Sequence, residues 1–267
     1  MTKKSVRGPG RAKEKATTST AAPFVPNTTK LRALGHAAQE CRGCDLYKHA
    51  TQAVFGAGPQ SARLMFVGEQ PGDQEDRQGE PFVGPAGTLL DKALAEVGIT
   101  RKHVYVTNAV KHFKWEPRGK RRIHKKPRVS EMKACRPWLD AELRAVRPTV
   151  IVCLGATAAQ AIFGAQFRLM EQRGKMLPTS LGPKGLATIH PSSVLRMKEK
   201  EERQVNGNSL DWNLGAESLA PRPQRKAVAV VVLHVLPFFL FLPVKASGKP
   251  VKQRDHDGHA QGRRPLR

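Results

Sequence analysis

The feature that most constrains this chain is an alternation of short apolar runs with longer stretches of helical periodicity. Four runs have the length and composition of buried strands: LMFV (64–67), HVYVTNAV (103–110), TVIVCL (149–154) and LATIH (186–190). Helical spacing is clearest in 86–99 and 130–146. Strands that alternate with helices favour a parallel sheet covered on both faces. We therefore predict an α/β fold, a three-layer α/β/α sandwich around a central, mostly parallel four-stranded sheet.

The two ends of the chain differ in composition from its centre. Residues 1–30 are rich in Lys, Thr, Ala and Pro, which predicts a disordered basic tail. The alternating pattern occupies 31–203, which we predict to be one domain. Residues 204–267 lose the pattern and are interpreted as an atypical tail, either frame-shifted or disordered. The apolar run 227–244 in that tail contains two prolines, which would break a helix, so a membrane anchor is the less favoured interpretation.

Positive charge dominates the composition. Lys and Arg number 46 against 22 Asp and Glu, which gives a formal net charge of +24. Much of the excess lies in the two tails and in the internal stretch 111–128. This balance indicates a polyanionic partner, nucleic acid first and an anionic membrane surface second. The N-terminal segment lacks the apolar region of a secretory signal, so a cytoplasmic location is expected.

Polar side chains follow three of the predicted strands. Glu69 comes after LMFV, Asn108 after HVYVT and His190 after LATI. The carboxyl ends of parallel strands lie at one edge of a sheet, where ligands bind. We therefore expect these three side chains to converge, although each of them alone is more often a turn, cap or surface residue.

Four cysteines raise the possibility of a metal site. Cys41 and Cys44 form a C-x-x-C pair, whereas Cys135 and Cys153 fall in a predicted helix and a predicted strand. Four thiolates suit zinc and an iron–sulfur cluster about equally. The alternative is that Cys135 and Cys153 are ordinary buried thiols.

The most basic short segment is RGKRRIHKKP (118–127), which contains a single imidazole, His124. Its charge pattern alone favours an exposed loop that binds phosphates. Its basic residues are also expected to disfavour protonation of His124. Ile123 is expected to pack the loop onto the body of the domain.

Six segments together resemble one family of DNA-repair enzymes. They are GEQPGDQEDRQGEPFVGPAGTLLDKAL, YVTNAVKHFKW, GKRRIH, ACRPWL, LGATAA and TIHPSSVLR. In this order, over about residues 31–203, they resemble the iron–sulfur uracil-DNA glycosylases of family 4. They resemble more closely UdgX, the branch that crosslinks itself to uracil-containing DNA. Gln70 in GEQPG and the GKRRIH loop are the features that favour UdgX.

The resemblance implies excision of uracil in base excision repair, and it implies roles for individual residues. The implied catalytic residues are Glu69 for the sugar cation, His190 for uracil O2 and His124 as the nucleophile that captures C1′. The implied substrate-binding residues are Gly68, Gln70, Asp73, Phe82, which stacks the base, and Asn108, which reads its edge. The implied DNA-binding residues are Lys120, Arg121, Arg122, Lys125, Ser192, Ser193 and Leu195. The implied cofactor is a structural [4Fe–4S] cluster held by Cys41, Cys44, Cys135 and Cys153.

Three other functions stay open at this point. The first is a turnover glycosylase of the family 4 type that releases a free abasic site, with His124 only contacting phosphate. The second is a DNA-binding module that cleaves no bond, and the third is a membrane-anchored protein. The expected partner is uracil-containing DNA, with single strands preferred, and no obligate protein partner is implied.

Overall fold

The computed structural model describes residues 20–197. The predicted tail 204–267, with its apolar run, and residues 1–19 lie outside that range. Residues 20–30 were predicted to belong to the disordered tail, but Ala21 is buried and its N–H bonds the carbonyl of Ala134 at 2.7 Å. Within the described range, no helix is apolar and long enough to cross a membrane.

The order of elements follows the predicted alternation. The strands are β1 Leu64–Gly68, β2 Val104–Asn108, β3 Trp115–Arg118, β4 Arg121–His124, β5 Val150–Leu154, β6 Leu177–Pro178 and β7 Lys184–Thr188. The α-helices are α1 Leu31–Gln39, α2 Asp73–Gln78, α3 Pro85–Glu96, α4 Val129–Val146, α5 Ala156–Phe163 and α6 Leu169–Gln172. Short 3₁₀ turns occupy Ala22–Phe24, Asp45–Lys48 and Arg101–His103, and residues 191–197 are helical.

Five strands form the central sheet, in the order β2-β1-β5-β7-β6. β1 pairs in parallel with β2 and β5, and β5 pairs in parallel with β7. The α/β class and the mostly parallel sheet are thus confirmed, but the predicted number of four strands is wrong. The missed strand, β6, has two residues and runs antiparallel to β7 at the sheet edge. Two residues carry no detectable periodicity, and a proline is tolerated in a strand only at such an edge.

Helices cover both faces of the sheet because its strands are apolar on both sides. On one face, Met65 and Val67 of β1 pack in a core with residues of α4 and α5. On the other face, Leu64 and Phe66 pack with residues of α3. A third cluster lies beyond α4, where α1 packs on the helix face that is turned away from the sheet. The three-layer α/β/α arrangement is therefore confirmed, with α1 as an outer addition.

The chain reverses its direction across the sheet between β1 and β5. From β1 it passes to β2 on one side, and it then returns to β5 on the other side of β1. A crevice forms outside the carboxyl ends of strands at such a switch point. The residues that follow β1 and β5 therefore face each other across a ready binding site.

The basic segment predicted as a loop is instead part of a β-hairpin. β3 pairs antiparallel with β4, and Trp115 lies opposite His124 at the open end. Gly119, with a φ of 58°, begins the two-residue turn, and glycine readily adopts such positive φ values. The hairpin is largely exposed. Because an isolated two-stranded hairpin is marginal in water, it depends on anchors to the domain.

Candidate active site at the carboxyl edge of the sheet

A cleft of about 960 Å³ opens at the carboxyl ends of β1, β2, β5 and β7. Glu69, Asn108 and His190, which are separated by up to 121 positions in the chain, all line it. Phe82 and His124 line it as well. The structure therefore brings together the residues predicted to act on the base and those predicted to act on the sugar.

Gly68, the last residue of β1, allows close packing of two side chains that line the cleft. A Cβ atom at this position would lie 2.3 Å from Oδ1 of Asn108 and 2.7 Å from Cζ of Phe82. Any larger residue would therefore collide with both of the side chains assigned to the base. Phe82 is held at a φ of 58°, and its carbonyl lies 1.8 Å from the Cβ position of Gly87. Glycine at position 87 is thus what allows the unusual backbone of Phe82.

His190 follows β7 and lies almost parallel to the Phe82 ring, with the ring centroids 6.1 Å apart. The N–H of Ser192 donates to Nδ1 of His190 at 3.1 Å. Since Nδ1 acts as an acceptor there, the neutral ring carries its proton on Nε2. Burial, with smaller contributions from Arg196 and His124, lowers the pKa of His190 to about 4. The ring is therefore a neutral donor at physiological pH.

Glu69 joins the end of β1 to α5 and to the hairpin. One of its carboxylate oxygens accepts a hydrogen bond from Oγ1 of Thr157, in the first turn of α5. The other oxygen lies 3.5 Å from Nε2 of His124. The carboxylate is thus held by a hydroxyl group on one side and faces the imidazole on the other. Thr157 received no role from the sequence, where only the LGATAA segment pointed to it.

The pKa of His124 is lowered from 6.5. Partial burial is the largest cause, the Glu69 carboxylate opposes it, and the positive charge of Arg196 lowers the pKa further. The expected direction is therefore correct, but its source is different. The basic neighbours of His124 along the hairpin are not among the causes of this shift. Two of them, Arg122 and Lys125, pair with carboxylates instead.

Gln70 lines the cleft and joins the hairpin to the end of β1. Its Nε2 donates to the carbonyls of Lys114 and Lys125, each at 3.1 Å, and its Oε1 accepts from the N–H of Lys114 at 3.1 Å. These two residues flank the open end of the hairpin. Gln70 thus anchors the hairpin through both ends of its amide, and its contact with substrate stays a prediction.

Arg122 is an anchor of the hairpin, which corrects its prediction as a phosphate ligand. Its guanidinium pairs with Asp73 and, at 2.6 Å, with Asp76, whose side chain is fully buried. It also lies over the rings of Phe113 and Trp115, 5.5 Å from each centroid. Asp73 was predicted to bind substrate, but it lies outside the cleft lining and pairs with Arg122 and Arg77.

The remaining basic residues of the hairpin are free to meet a polyanion. Lys120 and Arg121 are exposed at its tip, and Lys125, which pairs with Glu116, is half-exposed. Ile123 was expected to pack onto the domain, but it is 41% exposed. The hairpin is thus anchored through Gln70 and Arg122, and its isoleucine stays on the solvent side.

The segment after His190 supplies further cleft residues. Ser192 and Ser193 line the cleft, and Arg196 donates to the hydroxyls of both, at 3.3 Å and 2.9 Å. Leu195 is half-buried and does not line the cleft. Arg196 was missed, although its spacing of three and four residues from the two serines places all three on one side of a helix.

A fully buried ion pair, also missed, lies directly beneath the cleft. Nζ of Lys111 is 2.6 Å from Oε2 of Glu142, and neither side chain is exposed. From the sequence, Lys111 was counted only as part of the basic stretch and Glu142 as one residue of a helix. Nothing in a single sequence indicates that these two charges meet.

Three of the four cysteines lie together on the outer face of α4. Cys41, Cys44 and Cys135 belong to the cluster that packs α1 against α4. Nε1 of Trp138 donates to Sγ of Cys41 at 3.2 Å, and the N–H of Lys111 donates to Sγ of Cys135 at 3.3 Å. Hydrogen bonds to sulfur are typical of cluster-ligating thiolates. Burial raises the pKa of Cys135 to about 12, so ligation would have to displace a proton.

Cys153 does not join this group. It lies in β5 under the inner face of α4, in the core with Leu139 and Leu143. Burial alone raises its pKa, with no contribution from another thiol. Cys135 points to the opposite face of the same helix, because it belongs to the helical row of Trp138 and Ala145. Among residues 20–197, no three His, Cys, Asp or Glu side chains are arranged around a single metal ion. The described residues thus show no preformed metal centre, and Cys153 lies apart from the other three cysteines of the expected set.

Comparison with known proteins identifies one family and several relatives that match this chain. The family described as the uracil DNA glycosylase superfamily matches residues 55–210. The type-4 uracil-DNA glycosylase of Archaeoglobus fulgidus is 41% identical over 169 residues, which cover 61% of this chain and 81% of that protein. The corresponding enzyme of Thermotoga maritima is 39% identical, over 62% of this chain and 84% of that protein. A type-5 uracil-DNA glycosylase of Thermus thermophilus is 31% identical, over 62% and 80%. This chain belongs to the uracil DNA glycosylase superfamily.

Proposed function

We propose that this protein is a uracil-DNA glycosylase, which breaks the N-glycosidic bond between uracil and deoxyribose in DNA. The observation that carries the proposal is the convergence of Phe82, Asn108 and His190 on one cleft at the carboxyl edge of the sheet. A planar base fits beside the Phe82 ring, and the Asn108 amide can both donate to and accept from a pyrimidine edge. The names of the type-4 relatives support the same activity.

Bond cleavage separates charge, and the cleft offers a group for each charge. As the bond between N1 and C1′ breaks, its electron pair moves onto the uracil ring and its O2 atom. Nε2–H of His190 is a neutral donor that can stabilise this negative charge. The sugar becomes an oxocarbenium-like cation, and the carboxylate of Glu69, fixed by Thr157, can stabilise it.

DNA must deliver the uracil into the cleft by base flipping or as a single strand. Arg173, Arg196 and Lys126 line the cleft, and Lys120 and Arg121 extend the positive surface along the hairpin. We propose that these residues hold phosphates on both sides of the lesion. We propose that single strands are preferred, because a single strand presents uracil without the cost of unpairing and unstacking it.

The sugar cation has two possible fates. In the first, water adds to C1′ and loses a proton to Glu69, and a free abasic site is released; the names of the type-4 relatives support this fate. In the second, a ring nitrogen of His124 adds to C1′ and remains bound. The position of His124, in the cleft and 3.5 Å from Glu69, favours the second. Its lowered pKa keeps a lone pair available.

One experiment tests the activity and separates these fates. The protein is incubated with a uracil-containing single-stranded oligonucleotide, and free uracil and the DNA products are measured separately. Release of uracil supports the glycosylase, and its absence contradicts it. A protein–DNA band that survives heat and detergent supports capture by His124, whereas uracil release with free abasic DNA supports capture by water. His124→Ala should abolish such a band while DNA binding persists.

We further propose that Cys41, Cys44 and Cys135 are ligands of a [4Fe–4S] cluster. When bound, the cluster would crosslink the α1 segment to α4 and so stabilise the outer layer of the fold. The support is the shared position of the three thiols and the N–H donors to Cys41 and Cys135. Cys153 is left as a buried thiol of the sheet core.

A further inference from the structure

Lys111 and Glu142 form a buried ion pair whose presence is not explained by its contribution to stability alone. Both charges are completely removed from water. The desolvation cost of such a pair often exceeds its Coulomb attraction, and apolar replacements of similar volume are frequently neutral or stabilising. The contacts of this pair indicate what it does instead.

Each proton of the Lys111 ammonium has a partner. Nζ donates to Oγ1 of Thr107 at 2.6 Å, to the carbonyl of Asn108 at 2.8 Å and to Glu142 at 2.6 Å. Since an ammonium has three donors, its capacity is filled. Two of these bonds hold the last two residues of β2, and one of those residues is Asn108. Lys111 therefore fixes the backbone from which the Asn108 side chain projects into the cleft.

Glu142 connects this strand end to helix α4. Its carboxylate accepts from the N–H of Gly56 at 2.9 Å, from the hydroxyl of Tyr105 at 3.1 Å and from Oγ1 of Thr107 at 2.9 Å. The pair thus joins three separate segments of the chain under one point of the cleft. A side chain that must distinguish hydrogen-bond donors from acceptors on a base needs such a rigidly held backbone.

The turn after β2 is held from its other sides as well. The N–H of Ala109 bonds the carbonyl of Gly68 at 2.9 Å, and the N–H of Val110 bonds that of Glu69 at 3.0 Å. The N–H of Lys111 bonds Sγ of Cys135. Residues 108–111 therefore link the base-reading amide, the end of β1 and the group of cysteines within a single turn.

We propose that Lys111 and Glu142 are positioning residues for uracil recognition, which hold the Asn108 amide in the orientation that reads the pyrimidine edge. They touch no substrate and act through Asn108. The inference rests on the proposed uracil excision and extends it to a buried layer beneath the site.

The test is the variant Lys111→Met/Glu142→Gln, which removes both charges at similar volume and keeps an acceptor for Gly56. Its melting temperature should stay within a few degrees of the wild type. The kcat/KM for uracil release from a single-stranded oligonucleotide should fall at least about tenfold, since a misplaced recognition group costs transition-state binding. The inhibition constant of free uracil should rise in parallel. In an Asn108→Ala background the same two substitutions should cause no further fall in kcat/KM for uracil release.

The matched control is Arg136→Met/Asp140→Asn, which removes a half-exposed ion pair from the same helix. It should leave uracil release and inhibition by uracil unchanged. The inference would be overturned if the folded double variant had the wild-type kcat/KM and inhibition constant. It would also be overturned if the two substitutions lowered kcat/KM equally in the Asn108→Ala background. If the double variant does not fold, Thr107→Val, which removes one hydrogen-bond partner of both charges and leaves the ion pair intact, provides the same comparison with and without Asn108. Failure of the wild type to release uracil would instead contradict the proposed function.

Discussion

Nε2 of His124 lies 3.5 Å from Oε1 of Glu69, so the last residue of hairpin strand β4 meets the residue that follows β1 at the cleft. Thr157 holds the other oxygen of the same carboxylate. Glu69 can therefore assist either of two groups that could react with the sugar. One is a water molecule and the other is the imidazole of His124. Which of these reacts depends on how firmly the hairpin keeps His124 in place.

The charge state of His124 should respond to its two charged neighbours in opposite ways. In the free protein we expect a pKa below 6.5, because partial burial and Arg196 lower it more than Glu69 raises it. Arg196→Met should raise the pKa, and Glu69→Gln should lower it, as measured by proton NMR of the ring. If His124 captures the sugar, adduct formation should be constant at high pH and decline as the pH falls through this pKa, because the protonated ring has no free lone pair. A pKa above 6.5 would contradict this account.

Gly68→Ala should block uracil while leaving the fold in place. The added Cβ would lie within 2.7 Å of both Asn108 and Phe82 and would displace these two side chains, which are assigned to the base. We expect a loss of about 100-fold or more in kcat/KM, with DNA binding retained, because misplacement of a base by about 1 Å has effects of this size. The control is Gly35→Ala in α1, where a Cβ makes only an ordinary contact of 3.4 Å with Phe55. Wild-type uracil release by Gly68→Ala would contradict the assigned pocket.

Removal of the hairpin anchor should separate uracil release from any capture by His124. Arg122→Met leaves the carboxylate of Asp76 buried without its cation, which should destabilise the protein by about 3 kcal/mol. The hairpin should become sensitive to chymotrypsin at Trp115, and the share of DNA trapped as an adduct should fall relative to uracil released. Arg121→Met, at the exposed neighbouring position, should weaken DNA binding in a salt-dependent way without these effects. Equal protease resistance in both variants would argue against the anchor.

Thr157 should matter through the orientation of Glu69. Thr157→Val removes the hydroxyl that donates to the carboxylate and keeps the shape of the side chain. We expect kcat for uracil release to fall by about tenfold, the equivalent of one lost hydrogen bond to a charged group, with little change in KM. Thr157→Ser, which restores the donor, should recover most of the rate. A similar loss in both variants would indicate a packing role instead.

The cysteines should differ in their effect on the cluster. Cys135→Ala should abolish bound iron and the broad absorbance near ~400 nm expected of a [4Fe–4S] cluster. Cys153→Ala should leave both unchanged, because Cys153 lies in the sheet core away from the other thiols. Iron content and absorbance of the purified proteins make the comparison directly. Loss of iron in Cys153→Ala would restore the four-cysteine assignment, and a colourless zinc protein would exclude the cluster.

The elements that were predictable are those with a strong local signal. The apolar runs at 64–67 and 149–154 lie within one residue of β1 and β5, since a strand buried on both faces must be apolar throughout. The periodicity of 130–146 likewise predicted α4 to within one residue. The basic segment was harder, because charge density indicates exposure and does not distinguish a loop from a hairpin.

The sequence by itself determined the layered α/β fold and the edge of the sheet where the site lies, because hydrophobic periodicity and parallel pairing leave few alternatives. Only the tertiary structure decided that Arg122 meets carboxylates, that Gln70 holds a hairpin and that Cys153 stands apart from the other three cysteines. Each of these outcomes depends on which face of an element a side chain occupies and on what a distant segment places opposite it. A single sequence carries no record of such contacts, whereas close packing makes them specific.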